Sequence, residues 1–177
     1  MSKKTEERYK SLPAGVRNNN YLNIKKSASK WKGTRLPERS HPFVEFVSPE
    51  WGYRAAFIIM GKSYRKRGLK TVSQIISAWA PGSENNTSLY ISYVLKEMIL
   101  DLDLYKVRDI EMPDPVPFDP YAEIQSLSKE QLNAFNYWHS LAQAMTCIEV
   151  GMIYARRAEV SLWIDEGYKL AICEKIP

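Results

Sequence analysis

Apolar side chains recur at helical spacing through most of this chain, and that pattern restricts the fold more than any other feature. Three segments between Pro49 and Met98 each carry one apolar stripe. The stripes are Trp51, Ala55, Ile58 and Ile59 in the first segment, Val72, Ile75, Ile76 and Trp79 in the second, and Ile91, Val94, Leu95 and Met98 in the third. A helix with one apolar face has to bury that face against another element. The pattern therefore predicts a compact body that is mainly α-helical.

Start and stop signals place the helices. Pro49 suits a first helical turn, and Thr71 can cap the second helix. Ser128 and Gln131 have the spacing of a capping box, which predicts the start of a long helix that ends near Gly151. The core stripe of that helix is Ala134, Trp138, Leu141, Met145 and Ile148, and a last helix carries Val160, Trp163, Ile164, Tyr168 and Ala171.

The segment 111–120 holds prolines at 113, 115, 117 and 120, so it is expected to cross the molecule in an extended conformation. The 57 residues that follow Pro120 in this chain of 177 are few for a second hydrophobic core. We therefore predict a single domain over 13–177, wrapped by a proline-rich strap at 111–120. Residues 1–12 are predicted to form a flexible basic tail.

Composition excludes several classes of protein. The net charge is +5, and the basic residues concentrate in 3–39 and 62–70, which attracts polyanions without specifying one. The histidines (His41, His139) and cysteines (Cys147, Cys173) lack metal-ligand spacing, so no metal or other cofactor is expected. Whether the two cysteines pair stays open. The charged N-terminus lacks the apolar region of a signal peptide, and no apolar run is long enough to span a membrane.

The segment from Gly15 to Gly52 is rich in residues that form tight turns and present flat aromatic surfaces. It begins GVRNNNYLNIKK and continues through Trp31, Phe43, Phe46 and Trp51. Asn and Gly tolerate left-handed backbone angles. Such turns, carrying amide and aromatic groups, suit the binding of a sugar or another planar polar ligand. They are more often typical of a small hairpin whose aromatic side chains fill the core.

The same segment resembles the substrate-cleft segment of bacterial cell-wall glucosaminidases. The motifs are Asn19-Asn20-x-x-x-Ile24-Lys25, Trp31-x-Gly33 and Phe43-x-x-Phe46-x-Ser48-x-Glu50-x-Gly52. Together with Trp79-Ala80-Pro81 and Glu84-Asn85-Asn86-Thr87, the segment is also similar to phage and prophage virion proteins regarded as lysozyme-like, peptidoglycan-degrading enzymes. This chain has Tyr21-Leu22 where the family usually has Pro-Gly. The resemblance implies that Asn18, Asn19, Asn20 and Asn23 shape and hydrogen-bond a saccharide cleft, with Tyr21 and Trp31 as sugar-stacking faces.

Glu149 is the first candidate for the acid that glycosidic cleavage requires. It lies on the apolar side of the long helix at its C-terminal end, where both apolar neighbours and the helix dipole raise the pKa of a carboxyl group.

The stretch from Ala144 to Gly151 resembles the Ala-x-x-x-x-Glu-x-Gly that ends the catalytic helix of lysozyme-like enzymes. In that family the helix precedes the Asn-rich segment, whereas here it follows. The resemblance therefore implies a circularly permuted, lysozyme-like fold of the α+β kind, with a short β or loop segment near the N-terminus. A surface glutamate without a role is the alternative.

Glu45 and Glu50 are the other carboxylates of interest. Glu45 alternates with Phe43 and Val47 in a possible strand, where it could orient a water molecule, and it is the second catalytic candidate. Glu50 follows Ser48-Pro49 at a helix start, so a structural role at the positive end of the helix dipole is expected for it.

Two functions follow as hypotheses. The first is an enzyme, a lysozyme or lytic transglycosylase, that binds and cleaves peptidoglycan glycan strands. It would be made in the bacterial cytoplasm without a signal peptide and would act at the cell wall after release or as a virion component. The second is a non-enzymatic virion or mobile-element protein that uses the same scaffold for binding, with virion components as its partners. Nucleic acid is the weakest of the candidate partners.

Overall fold

The fold is mainly α-helical, as the apolar stripes predict. A computed structural model describes residues 7, 9–37, 40–83 and 86–173. From residue 13 onward its α-helices are α1 (Ala14–Arg17), α2 (Pro49–Ile58), α3 (Val72–Trp79), α4 (Thr87–Asp101), α5 (Lys129–Val150), α6 (Met152–Ala155) and α7 (Ala158–Tyr168). π-Helical turns extend α2 over Ile59–Tyr64 and α7 over Lys169–Cys173, and a 3₁₀ turn spans Ile124–Ser126.

The β structure near the N-terminus consists of isolated antiparallel bridges. Lys25 pairs with Phe43, and Thr34 pairs with Phe46. Within the described ranges these bridges do not grow into a sheet. The segment between α1 and α2 is therefore a folded loop, held by scattered backbone hydrogen bonds, such as that from the Val44 amide to the Ile24 carbonyl at 2.9 Å, and by side chains.

The predicted caps are present. Thr71 and Gln74 form a reciprocal capping box at the start of α3, and Ser128 and Gln131 form another at the start of α5. Gly151 ends α5 with φ at +86°, a backbone angle that favours glycine. These local signals fix both ends of the 22-residue helix that carries Glu149.

The core lies where α2, α5 and α7 meet. The Tyr53 hydroxyl lies 3.0 Å from the Thr146 hydroxyl, which joins α2 to α5. Phe57 packs edge-on against Tyr168, with ring centroids 5.5 Å apart, which joins α2 to α7. Gly167 permits this approach, because a Cβ there would lie 2.4 Å from the Tyr53 Cβ. The two halves of the chain thus share buried contacts.

Most large side chains on the predicted stripes are fully buried, Ile75 and Trp138 among them. Others are only half-buried and pack at the margin of the core, including Trp51, Ile58, Trp79 and Trp163. The prediction was wrong for Ile148, which is 37% exposed on the outer face of α5. The half-burial of Trp79 matters for the site described below, because one side of its ring remains open to a cleft.

The proline-rich segment crosses α5 and α7. The Trp138 indole donates to the Pro113 carbonyl (3.1 Å), and the Val116 amide donates to the Tyr168 hydroxyl (3.2 Å). Phe118 packs on Tyr168 with ring centroids 6.1 Å apart. These bonds satisfy backbone groups that an extended segment leaves without regular partners.

Part of the predicted flexible tail, residues 1–6 and 8, lies outside the described ranges. In the remainder, the Tyr9 hydroxyl donates to the Arg17 carbonyl at 3.0 Å. The division into a tail and a single domain remains a prediction. Within the described residues, no helix is both long and apolar enough to cross a membrane.

Replacing Trp138 tests how strongly α5 and the strap depend on each other. Trp138→Ala should lower the free energy of unfolding by about 3–5 kcal/mol, because it empties a fully buried site and leaves the Pro113 carbonyl without its donor. Ile153→Ala, at a side chain that is 78% exposed, should change it by no more than about 0.5 kcal/mol. Urea unfolding measures both, and equal effects of the two substitutions would contradict this packing.

Candidate active site around Glu149

The loop that follows α1 is organised by the side chain of Asn20. Its Nδ2 donates to the carbonyls of Ile24 and Val44, each at 2.9 Å, and its Oδ1 accepts from the Ile24 amide at 2.9 Å. The side chain is fully buried. A short amide side chain thus provides the partners that a neighbouring strand would otherwise provide.

The two preceding asparagines also bond to the backbone. Asn19, at φ +52°, donates through Nδ2 to the carbonyls of Phe46 and Val47 at 3.1 and 3.2 Å. Asn18 is buried, and its carbonyl accepts from the Phe46 amide at 2.9 Å. Asn18, Asn19 and Asn20 therefore hold 18–24 against 43–47 and do not line the cleft described below. Their observed role is to shape the loop.

Asn23 reaches the C-terminal end of α5. Its φ of +50° turns the chain, and its Nδ2 donates to the Glu149 Oε2 at 2.9 Å and to the Glu149 carbonyl at 3.2 Å. These bonds join residues 126 positions apart in sequence. The Asn-rich segment and the end of α5 consequently form one site.

The Glu149 carboxylate is half-buried and surrounded by hydrogen-bond donors. The Tyr90 hydroxyl, from α4, donates to its Oε1 at 2.8 Å, while Asn23 occupies Oε2. Burial raises the pKa of Glu149, and hydrogen bonds from Asn23, Tyr90 and Trp79 lower it, so that the net shift is upward. Burial also raises the pKa of Tyr90, as does the adjacent Glu149, so the phenol stays protonated and donates a hydrogen bond to the carboxylate.

Glu149 lies on the wall of an open cleft with a volume of about 680 Å³. The wall combines one carboxylate with an amide, an ammonium group and aromatic rings. The residues that line it are Leu22, Asn23, Ile24, Lys25, Phe43, Ile59, Tyr64, Ala78, Trp79, Ala80, Pro81 and Glu149. A mostly apolar concave surface with a few convergent polar groups, one of them with a perturbed pKa, is typical of a ligand site.

Both aromatic candidates of the sequence analysis lie elsewhere. Tyr21 is 4% exposed, and its ring lies 6.1 Å from that of Tyr53 and 5.4 Å from that of Trp163. Trp31 is half-buried beside a separate cavity of about 560 Å³, together with Lys30 and Thr34. Neither ring lines the cleft around Glu149.

The carboxylates of Glu45 and Glu50 contact side chains that are close to them in sequence. Glu45 is buried, and its Oε1 lies 2.6 Å from the His41 Nε2. Glu50 accepts a hydrogen bond from the Ser48 hydroxyl at 2.5 Å in the first turn of α2. Neither lines the cleft of Glu149. Their catalytic or structural roles stay predictions, but Glu149 alone of the three candidates occupies a cleft wall.

Several residues of the cleft were not anticipated as site residues. Trp79 has helical core spacing, yet the break at Pro81 leaves it at a helix end, where one side of the ring stays open. Tyr64 lines the cleft and Tyr90 contacts Glu149. Neither carries a local signal, since both reach the site only in the folded chain. Glu84 and Asn85, of the motif that follows Pro81, lie outside the described residues.

The residues that the structure describes hold no group of three or more His, Cys, Asp or Glu side chains arranged for a metal ion. Cys147 and Cys173 are both free thiols.

Comparison with known proteins gives a partial match to a phage protein. No family model matches the chain. Over 83 residues it is 40% identical to "Protein P5" of Pseudoalteromonas phage PM2, an alignment that covers 45% of this chain and 52% of that relative. The chain thus spans about half the length of the curated relative that it matches. The similarity indicates a phage-related origin.

Proposed function

We propose that this protein cleaves the glycan strands of peptidoglycan, with Glu149 as the general acid. The observation that carries the proposal is the position of this carboxyl group. It is half-buried, has a raised pKa, lies on the wall of an open cleft and is held by a residue of the Asn-rich segment. A raised pKa keeps a larger fraction of the group protonated near neutral pH, as donation to a leaving oxygen requires.

The donors around Glu149 suit both protonation states. The protonated carboxyl group gives its proton to the glycosidic oxygen as the bond from that oxygen to the anomeric carbon breaks. The resulting carboxylate then accepts hydrogen bonds from Asn23 and Tyr90, both already in place at 2.9 and 2.8 Å. Because these partners are fixed by the fold, little reorganisation accompanies the transfer.

The second half of the reaction has two possible forms. In a lytic transglycosylase, the hydroxyl on C6 of the same sugar attacks the anomeric carbon and passes its proton to Glu149, which leaves an anhydro ring. In a hydrolase, water attacks and leaves a reducing end. Glu149 regains its proton in the transglycosylase, and it can also do so in the hydrolase when it deprotonates the attacking water. The proposal covers both forms, and their products differ by one water molecule.

The walls of the cleft suit a charged sugar polymer. The rings of Phe43, Tyr64 and Trp79 line it, and flat aromatic faces pack well against the apolar faces of sugars. Lys25 adds a positive charge to the same wall. Peptidoglycan carries carboxylates on its stem peptides, and these would be attracted to that charge.

A second candidate function is a non-enzymatic phage protein that uses this cleft for binding alone. The 40% identity to a phage protein favours a phage setting for either function. The protein would then reach the wall as part of a phage particle or after release from the cell.

Removing the transferable proton separates the two functions. Glu149→Gln should reduce the turbidity loss of purified peptidoglycan by about a hundredfold or more, since general acid catalysis typically contributes a factor of roughly 10²–10⁴. Glu45→Gln, which makes the same change at a buried carboxylate outside the cleft, should retain lysis.

Mass spectrometry of the released muropeptides then distinguishes anhydro from reducing ends. Lysis that survives in Glu149→Gln but not in Glu45→Gln would transfer the catalytic role to Glu45. If the wild-type protein lyses no type of wall, the binding function stands.

Asn23→Asp should move the alkaline limb of the pH–activity profile. The substitution keeps the shape and tolerates the φ of +50°, but it replaces a donor to Glu149 with a negative charge. Both changes raise the pKa of Glu149, so activity should persist to higher pH by roughly one unit. Asn136→Asp makes the same change at an exposed position on α5, about 20 Å along the helix, and should leave the limb in place. If the limb does not move in Asn23→Asp, then the pKa of Glu149 does not determine the alkaline limb.

The pH dependence of stability gives a test that needs no substrate. Because the folded-state pKa of Glu149 is raised above its ordinary value of 4.5, it contributes stability that is fully present below that value and is lost as pH rises through the folded pKa. Glu149→Gln cannot lose this contribution. Its free energy of unfolding relative to wild type should therefore increase between about pH 4 and about pH 8. Urea unfolding at both pH values measures this, and a difference that does not depend on pH would show that the pKa is not raised.

A further inference from the structure

A serine, a histidine and an aspartate meet between α5 and α7, outside the Glu149 cleft. Ser161 and Asp165 lie four residues apart on α7, and His139 lies on α5. The His139 Nδ1 is 2.6 Å from the Asp165 Oδ1, and the His139 Nε2 is 3.3 Å from the Ser161 Oγ. The imidazole thus touches a carboxylate through one nitrogen and a hydroxyl through the other.

The partners of His139 determine which nitrogen carries the proton. A carboxylate accepts hydrogen bonds, so Nδ1 donates to Asp165, and Nε2 of the neutral ring is left with a lone pair. That lone pair is the acceptor for the Ser161 hydroxyl. This is the tautomer in which a histidine takes a proton from serine while an aspartate holds the ring.

Both sides of the constellation are open to cavities. Ser161 lines one of about 340 Å³, whose walls include the small side chains of Ala144, Ala155 and Ala158. His139 and Asp165 line another of about 720 Å³. The side chains of His139 and Asp165 are 22% and 23% exposed, so the histidine can exchange protons with water.

The position of Ser161 in α7 supplies donors for a developing oxyanion. α7 is 11 residues long and begins at Ala158, so Ser161 lies in its first turn. The side chain of a helical residue leans toward the helix N-terminus, where the leading backbone N–H groups lack intrahelical acceptors. Ala158 lines the same cavity as Ser161, and the charged residues of its wall are Arg156, Arg157, Glu97 and Asp101. A carbonyl oxygen bound beside the start of α7 would face the leading backbone N–H groups of the helix.

We propose that Ser161 is the nucleophile of a second catalytic site, one that hydrolyses short acyl esters. The Ser161 oxygen forms a bond to the ester carbonyl carbon as its proton passes to the His139 Nε2. The intermediate then expels the alcohol, which takes that proton, and leaves an acyl group on Ser161. Water then attacks this acyl group as its proton passes to His139, the bond to the Ser161 oxygen breaks, and His139 returns the proton to that oxygen, which releases a carboxylic acid and the free serine. Asp165 holds the ring throughout. The small, partly apolar cavity sets the limit to short acyl groups such as acetyl.

The experiment uses a fluorophosphonate probe on the intact protein, with mass spectrometry to locate the phosphonylated residue. A nucleophilic serine should be labelled at Ser161, and Ser161→Ala should abolish the label. Ser92→Ala is the matched control at an exposed serine on α4, and it should leave labelling at Ser161 unchanged. His139→Gln should slow labelling by at least a hundredfold, as expected for loss of a general base.

Asp165→Asn separates catalysis from a merely structural contact between the helices. It keeps the size of the side chain but favours the other imidazole tautomer, so labelling and the burst of p-nitrophenyl acetate cleavage should both fall, by up to about ten-thousand-fold. Thermal unfolding of each variant reports on the fold. Absence of label on Ser161 in the wild-type protein would overturn the proposal, as would labelling that His139→Gln does not slow in a variant that remains folded.

This site is independent of the proposed glycan cleavage. Glu149→Gln should keep the Ser161 label, and Ser161→Ala should keep wall lysis. Each activity therefore stands or fails without the other.

Discussion

The three hydrogen bonds of the buried Asn20 side chain are the interaction on which the candidate active site depends. The chain between α1 and α2 packs into the molecule without a sheet in its described residues, so its backbone groups need other partners. Asn20 supplies them for Ile24 and Val44 and so fixes the turn that carries Asn23 to Glu149. Gly15 allows the same approach from α1, because a Cβ there would lie 2.7 Å from the Val150 Cγ1 and 2.8 Å from the Asn20 carbonyl oxygen.

The state of Glu149 results from two opposing effects of this packing. Burial disfavours the charged carboxylate, whereas the donors Asn23, Tyr90 and Trp79 stabilise it. Each unit of pKa change corresponds to about 1.4 kcal/mol of difference in free energy between the protonated and the charged form. A site with burial alone would hold its proton too tightly to release it, and one with donors alone would be ionised at neutral pH. A general acid that is later restored as an acid needs a pKa between those limits. The donors also fix the direction of both carboxylate oxygens, which a surface glutamate would lack.

Structural features that are determined by residues close together in the chain could be predicted from the sequence. The capping boxes at Thr71 and Ser128 and the end of α5 at Gly151 are local, and all three are present. The roles of the asparagines could not be resolved in this way, because an amide suits a sugar hydroxyl and a backbone carbonyl equally. Only the packing of 18–24 against 43–47 shows which partner it has.

Residues that meet their partners only through tertiary packing could not be predicted from the sequence either. Tyr90 is 59 positions from the carboxylate it contacts. The spacing of Ser161 and Asp165 is visible in the sequence, but His139 joins them only through the packing of α5 on α7.

The circular permutation that the resemblance implies is compatible with this site. The contact between Asn23 and Glu149 is made by side chains, and its geometry does not depend on which residue comes first in the chain. Chain order affects the connections, whose lengths alter the closure entropy only slowly. Here the connection from the Asn-rich segment to α5 passes through α2, α3, α4 and the proline-rich strap, and each of these contributes to the core or the cleft. An acid placed after its cleft segment can therefore meet the same chemical requirements as one placed before it. Function resides in such a site and not in the order of its parts.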